Sequence, residues 1–280
     1  MSSSRNVILC ADDFGLADGV SRGIVELGEM GRLSATGAMT NMPGWRRAAG
    51  DLKPLQDRIA IGLHLNLTAG SPLGPMPKLA PSGVFPNLKD LLPKALKRQL
   101  PADEIAQEIE RQLDAFVEVL GQPPAFVDGH QHVHVLPVIR PALIQALAKR
   151  GYAERVWLRD PSDKVAAILR RPIGRSKALV VKSLARGFAK AAHAAGFETN
   201  KGFSGFAPLD LSVSAESVFE EAFSTLGPRP LVMCHPGYVD EELRALDPAV
   251  ESRLAELEYL KSDAFDDLLA ERRLRLAPAF

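Results

Sequence analysis

The chain has 280 residues, 46% of them hydrophobic, and its 34 basic residues are balanced by 34 acidic ones. That size suits one large α/β barrel or two smaller domains, and we read a single domain over residues 1–280. The balanced charge gives no electrostatic footprint for nucleic acid, and no apolar run approaches the roughly 18 residues that span a bilayer.

Cys10 and Cys234 are the only cysteines, both in apolar runs, so a disulfide framework is not expected and the reading is of a cytoplasmic protein. In chain order, residues 6–10 read as a buried strand that delivers Asp12 and Asp13 into a loop. Asp18 is expected to cap the next helix and Gly31 to close it. Residues 33–41 read as a second strand and residues 45–57 as helix. Residues 59–68 form the clearest strand: Ile59, Ile61, Leu63, Leu65 and Leu67 alternate with Ala60, Gly62, His64, Asn66 and Thr68. In a barrel the aliphatic face packs on helices and His64 points inward. The Pro- and Gly-rich loop 69–87 is long enough to bind a ligand or close over a site.

Residues 101–120 carry the marks of a helix, with Pro101 at the start, Asp103 and Glu104 in the first turn and Gly121 past the end. A strand at 125–128 then meets the densest chemistry of the chain, Asp128-Gly129-His130-Gln131-His132-Val133-His134. Extended backbone puts Asp128, His130, His132 and His134 on one side, whereas helical backbone pairs His130 with His134. Either arrangement gathers imidazoles for a metal ion, with a carboxylate nearby to fix a tautomer. Further strands are expected at 155–159, ending in Arg159, at 197–203, and at 230–234, ahead of His235. Residues 162–196 are basic and helix-rich, with Lys182, Arg186 and Lys190 four apart, a pattern of solvated helix faces or of contact with an anionic membrane. His193 stands alone in an alanine-rich helix and carries no functional expectation.

The repeated strand–helix alternation predicts a distorted or incomplete TIM-like (β/α) barrel of about seven parallel strands, with a doubly wound open sheet as the competitor. Asp12, Asp13, His64, His130 and His235 all fall where strands end, as at a barrel mouth. A carboxylate with two imidazoles leaves open positions on a divalent metal, a second carboxylate can act as base, and a histidine can protonate a leaving amine. There is no Gly-x-Ser-x-Gly elbow for serine chemistry and no phosphate-binding glycine loop.

Four blocks carry a resemblance: Ala11-Asp12-Asp13-Phe14-Gly15-Leu16, Gly62-Leu63-His64-Leu65-Asn66-Leu67-Thr68, the 128–134 block, and Met233-Cys234-His235-Pro236-Gly237-Tyr238. Together they resemble the motif set of the YdjC family of carbohydrate deacetylases, which includes diacetylchitobiose and hopanoid-biosynthesis deacetylases. The resemblance implies metal-dependent removal of an N-acetyl group from a chitooligosaccharide or a glycolipid-linked amino sugar, and a homodimer. It implies Asp13, His64 and His130 as metal ligands, Asp12 as general base and His235 as general acid. Arg159, His132, His134 and Asn66 would bind substrate or support the ligands. A rival triad of Asp13, His130 and His134 stays open. Zinc suits the donor set, with magnesium or manganese admissible. Gly129 and Gln131 depart from the family pattern and leave the sugar open. The competing functions are a carbohydrate-binding protein on the same scaffold and a metal-dependent hydrolase of another bond.

Overall fold

The computed structural model describes residues 4–247 and 250–280. Its strands are β1 (Arg5–Phe14), β2 (Ala35–Ala38), β3 (Ala60–Leu65), β4 (Phe126–Gly129), β5 (Trp157–Leu158), β6 (Phe203–Ser204), β7 (Leu231–Cys234) and β8 (Leu274–Leu276). They pair in parallel in the order β5-β4-β3-β2-β1-β7-β6, and β8 runs beside the first residues of β1. The connecting helices are α1 (Asp18–Glu29), α2 (Pro43–Ala48), α3 (Leu88–Leu96), α4 (Ala102–Leu120), α5 (Ile139–Lys149) and α6 (Val165–Leu169). They continue with α7 (Arg175–Leu184), α8 (Phe188–Ala194), α9 (Ala215–Ala222), α10 (Glu241–Leu246), α11 (Glu251–Lys261) and α12 (Asp263–Glu271).

The sheet curls until its edges approach each other. Leu158 in β5 donates its N–H to the Glu198 carbonyl at 2.9 Å, and five residues later the same segment becomes β6. The result is the distorted TIM-like barrel of seven parallel strands, with β8 added below.

Period-two alternation divides each strand between two cores. Val7, Leu9 and Ala11 pack outward with the helices, as do Ile61, Leu63 and Leu65. Ile8, Cys10, Ala60, Phe126, Phe203, Leu231 and Met233 form a separate interior cluster. The interior alternates small with large, and a side chain at Gly62 would meet the Phe126 ring at 2.5 Å. Extending the interior rows towards the strand ends gives Asp12, His64, Asp128, Arg159 and His235. The fold thus aims five polar side chains into one mouth.

Several boundaries differ from those read in the sequence. β1 runs on through both aspartates instead of ending before them. β6 covers only Phe203–Ser204, because Gly202, with φ +120° and packed against Gly227, breaks the run expected at 197–203. Asp18 lies in the first turn of α1 rather than capping it, and Asp240 accepts the Gly19 N–H at 2.5 Å. Lys182 and Lys190 belong to separate helices, broken at Gly187 with φ +76°, so no single stripe joins them. His193 lies 3.1 Å from the Thr199 hydroxyl, an ordinary structural contact. Among the described residues no helix is long and apolar enough to cross a membrane.

Candidate metal centre and catalytic site

Asp12 arrives in the interior row by simple parity, but Asp13 should face the helices. A bulge corrects this. Between Ala11 and Phe14 the register with β2 shifts by one residue, and Asp13 takes φ +72°, a left-handed conformation that aspartate tolerates better than most residues. Both carboxylates therefore reach the mouth, at 2% and 1% exposure.

His64 near the end of β3 accompanies Asp128 across the β3–β4 ladder, and its Nδ1 lies 2.6 Å from Asp128 Oδ1. With that nitrogen donating to the carboxylate, Nε2 is left as the electron-pair side, and it faces Asp13 Oδ1 at 3.3 Å. His130 brings Nδ1 to 2.8 Å from the same oxygen. Ligand atoms of Asp13, His64 and His130 all lie within 4.8 Å of one another. One carboxylate and two imidazoles with room for further ligands match a catalytic zinc-type donor set.

Electrostatics favour a cation there. Asp12, Asp13 and Asp128 are buried against two buried guanidiniums, Arg159 and Arg253, which leaves an excess of negative charge. Burial works against a proton on His64, but Asp128 and Asp12 outweigh it and lift the pKa to about 10. A metal ion would supply the positive charge that this field otherwise draws onto the imidazole. A second cluster, Cys10, Asp12 and Asp128, has comparable spacing. Arg159 already fills it: Nη2 lies 2.6 Å from Asp12 Oδ1, 2.6 Å from Asp128 Oδ2 and 2.9 Å from Cys10 Sγ, and Nη1 donates to Asp12 Oδ2 at 2.7 Å. Burial alone would raise the pKa of Asp12, yet this two-pronged contact holds it well below the usual carboxylate range.

The histidine block is neither extended nor helical. Gln131 and His132 adopt φ +52° and +60° within a 3-10 turn over His130–Val135, and the chain reverses. His130 alone of the three stays beside Asp13 and His64. His132 lines the cavity wall with its ring edge-on to Phe203 and Phe206, and burial keeps its pKa well below the ordinary value. His134 is fully buried over Phe188, with Nε2 2.8 Å from the Arg159 carbonyl, and burial lowers its pKa to about 4. In that position it stands outside the Asp13, His64 and His130 grouping and supports the end of β5. Asn66 is likewise internal: its Oδ1 accepts the Thr68 and Ala69 N–H groups, and its amide donates to the Ala69 carbonyl. It shapes the start of the 69–87 loop, which Glu104 and Glu108 of α4 hold by accepting N–H groups of Leu73, Lys78 and Leu79.

His235, immediately after β7, lines the same cavity as Asp13, His64 and His130. Burial lowers its pKa to about 4 despite the nearby carboxylates of Asp13 and Asp12. Its backbone N–H donates to Glu256 at 2.6 Å, and burial raises the Glu256 pKa to about 7. Arg253 Nη2 bridges Asp13 Oδ2 and Asp247 Oδ2, each at 2.6 Å. Sequence reasoning assigned Arg253 and Glu256 no role. The available signal was their position on α11, where they share the buried stripe with Leu257 and Leu260. These groups surround a cavity of about 720 Å³ with Asp12, Asp13, His64 and His130 among its walls.

A family model described as YdjC-like protein matches residues 6–271. A chitooligosaccharide deacetylase of Enterobacter sp. (strain 638) is 33% identical over 272 residues, covering 96% of each chain. One from Citrobacter koseri is 32% identical over 275 residues, covering 97% of each chain. Among solved structures, a protein of Enterococcus faecalis V583, provisionally described as a cellobiose-phosphate cleavage protein, superposes with a TM-score of 0.74. It is 22% identical, covers 98% of this chain and 97% of its own, and shares the fold.

Proposed function

The chain belongs to the YdjC-like protein family, and on that premise we propose that it hydrolyses the N-acetyl group of an N-acetylated sugar using one divalent cation. The observation that carries this reading is the convergence of Asp13, His64 and His130 beside an Asp12 carboxylate clamped by Arg159. The relatives named chitooligosaccharide deacetylase support an amino-sugar substrate.

Asp13, His64 and His130 would hold the cation. When bound, such a cation polarises an acyl oxygen and acidifies water, and zinc suits two imidazoles and a carboxylate best. The chain's own groups do the rest. Arg159 fixes both oxygens of Asp12, so the base is ionised and oriented before substrate arrives. That grip also makes Asp12 a weak base, suited to accepting a proton from water that is already acidified. Arg253 neutralises the far oxygen of Asp13 and leaves Oδ1 towards His64 and His130. Asp128 sets the His64 tautomer and shares Arg159 with Asp12, so metal ligand and base are tied to one carboxylate.

His235 begins the cycle neutral, given its pKa of about 4. The proton it delivers to the leaving nitrogen is then the one that Asp12 takes from the attacking water, passed on to the neutral ring, rather than one carried in advance. His132, between two phenylalanine edges, presents a neutral ring to the sugar.

The test is acetate release from a panel of N-acetylated saccharides and glycolipids, with cation-loaded protein. Asp12→Asn should retain the cation and lose roughly 10²–10⁴-fold in turnover, and chelation should abolish release. Full activity in Asp12→Asn sinks the base assignment, and release that survives chelation sinks the cation.

A further inference from the structure

The rim of the cavity is built from elements that take no part in the chemistry. Leu88 and Leu92 of α3 form one wall, Lys177, Val180 and Leu184 of α7 another, and Leu246 closes α10 against them. The apolar surface continues past the wall into solvent. Leu96, one helical turn beyond Leu92, is 53% exposed, Val180 58% and Leu246 40%. Apolar side chains gathered at one opening mark an interaction surface, unlike single leucines scattered over a protein.

Two of these elements, α3 and α7, concentrate positive charge, whereas α10 carries Glu241 and Glu242 against Arg244. Residues 162–196 contain eight lysines and arginines against one acid, Asp163. That acid is itself paired with Arg171. Exposed Lys89, Lys94, Lys97 and Arg98 lie on or just after α3, where Asp90 is the only acid. In a chain with equal numbers of acids and bases, this is segregation into two segments. The two segments border one opening, because Leu88 and Leu92 of α3 line the same cavity as Lys177, Val180 and Leu184 of α7.

We propose that this rim docks on an anionic lipid surface, with Leu96 and Val180 entering the headgroup region and the surrounding lysines and arginines meeting lipid phosphates. A soluble polyanion answers the charge but leaves the apolar side chains facing water, whereas a bilayer interface satisfies both. Docked this way, the cavity opens at headgroup level. The docking stands on the surface alone and does not depend on the reaction proposed above.

The experiment is cosedimentation of the whole protein with phosphatidylcholine vesicles containing phosphatidylglycerol, against phosphatidylcholine vesicles alone, with heparin binding measured in parallel. Binding to the anionic vesicles, reversed by salt, is expected. Lys97→Glu with Arg98→Glu should weaken it at least about ten-fold. Val180→Asp should weaken vesicle binding and leave heparin binding unchanged, with thermal melts confirming that each variant is folded. Equal or absent sedimentation with the two vesicle types overturns the proposal. An unchanged vesicle affinity in Val180→Asp overturns it too, and assigns the patch to a soluble polyanion.

Discussion

Replacing Arg159 with methionine strips two buried carboxylates of a counter-charge at once. The side chain is fully buried and contacts Asp12 and Asp128 at 2.6–2.7 Å. Removing one partner of a buried pair costs about 3–5 kcal/mol, because the remaining charge is left in a poor solvent. Methionine refills much of the volume, so most of the loss is electrostatic. For a chain of this length the melting temperature should fall by about 5–9 °C near pH 8. The sign of the pH dependence gives a second check. In the parent, the depressed Asp12 pKa contributes stability that is present above about pH 4 and is lost only as pH falls towards that depressed value. In the variant, burial without Arg159 raises the Asp12 carboxylate, so its penalty is present at high pH and fades as pH falls through that raised value. The gap in melting temperature should narrow between about pH 8 and pH 5. Adding Asp12→Asn to the variant should recover part of the loss, since one stranded charge disappears. A variant that melts within about 2 °C of the parent at pH 8, or a gap that widens towards pH 5, refutes the ion-pair account.

Three other outcomes follow from the same geometry. His134→Ala removes the donor to the Arg159 carbonyl and opens space beside Phe188, so we expect a stability loss of about 2 kcal/mol and a lower kcat with unchanged cation affinity, measured by titration calorimetry. Glu256 is held at a raised pKa of about 7, so its contribution to stability is full below about pH 4.5 and is lost as pH rises through 7. Glu256→Gln keeps an acceptor for the His235 N–H and should stabilise the protein at pH 8 by at most roughly 3 kcal/mol, with no gain near pH 4, as read by melts at the two pH values. A divalent cation in roughly hundred-fold excess over its Kd should add about 2.7 kcal/mol to stability, an effect that His64→Ala abolishes; equal stabilisation of both proteins would place the cation elsewhere.

The barrel was legible because parity was. Ile59 to Thr68 alternates without a break, so His64 could be placed inside before any neighbour was known, and the same rule carries Asp128, Arg159 and His235 to the mouth. Asp13 was chosen correctly for the mouth but not for a reason visible in the strand, since only a bulge against β2 turns it inward. The backbone of the histidine block was read as extended or helical and is neither: two left-handed residues in a row cannot be foreseen from Gln131 and His132, and they put His132 on the wall and His134 under Phe188. Arg253 belongs to an element more than a hundred residues beyond the histidine block, and its contact with Asp13 depends on how α11 packs. Leu274–Leu276 is too short and too close to charged helix to show strand periodicity by itself.

The bulge in β1 has one more consequence. Asp12 and Asp13 are neighbours in the chain, so their α-carbons are held about 3.8 Å apart by a single peptide unit. His64, His130 and His235 each come from a different strand end, and their separations change whenever the barrel breathes. The interval between Asp12, the proposed base, and Asp13, the proposed ligand, does not. It is a covalent ruler: swelling of the mouth, exchange of one cation for another or repacking of a rim helix shifts both carboxylates together. Inserting or deleting one residue between Ala11 and Phe14 would change it, and would disrupt the reaction even with every functional side chain retained.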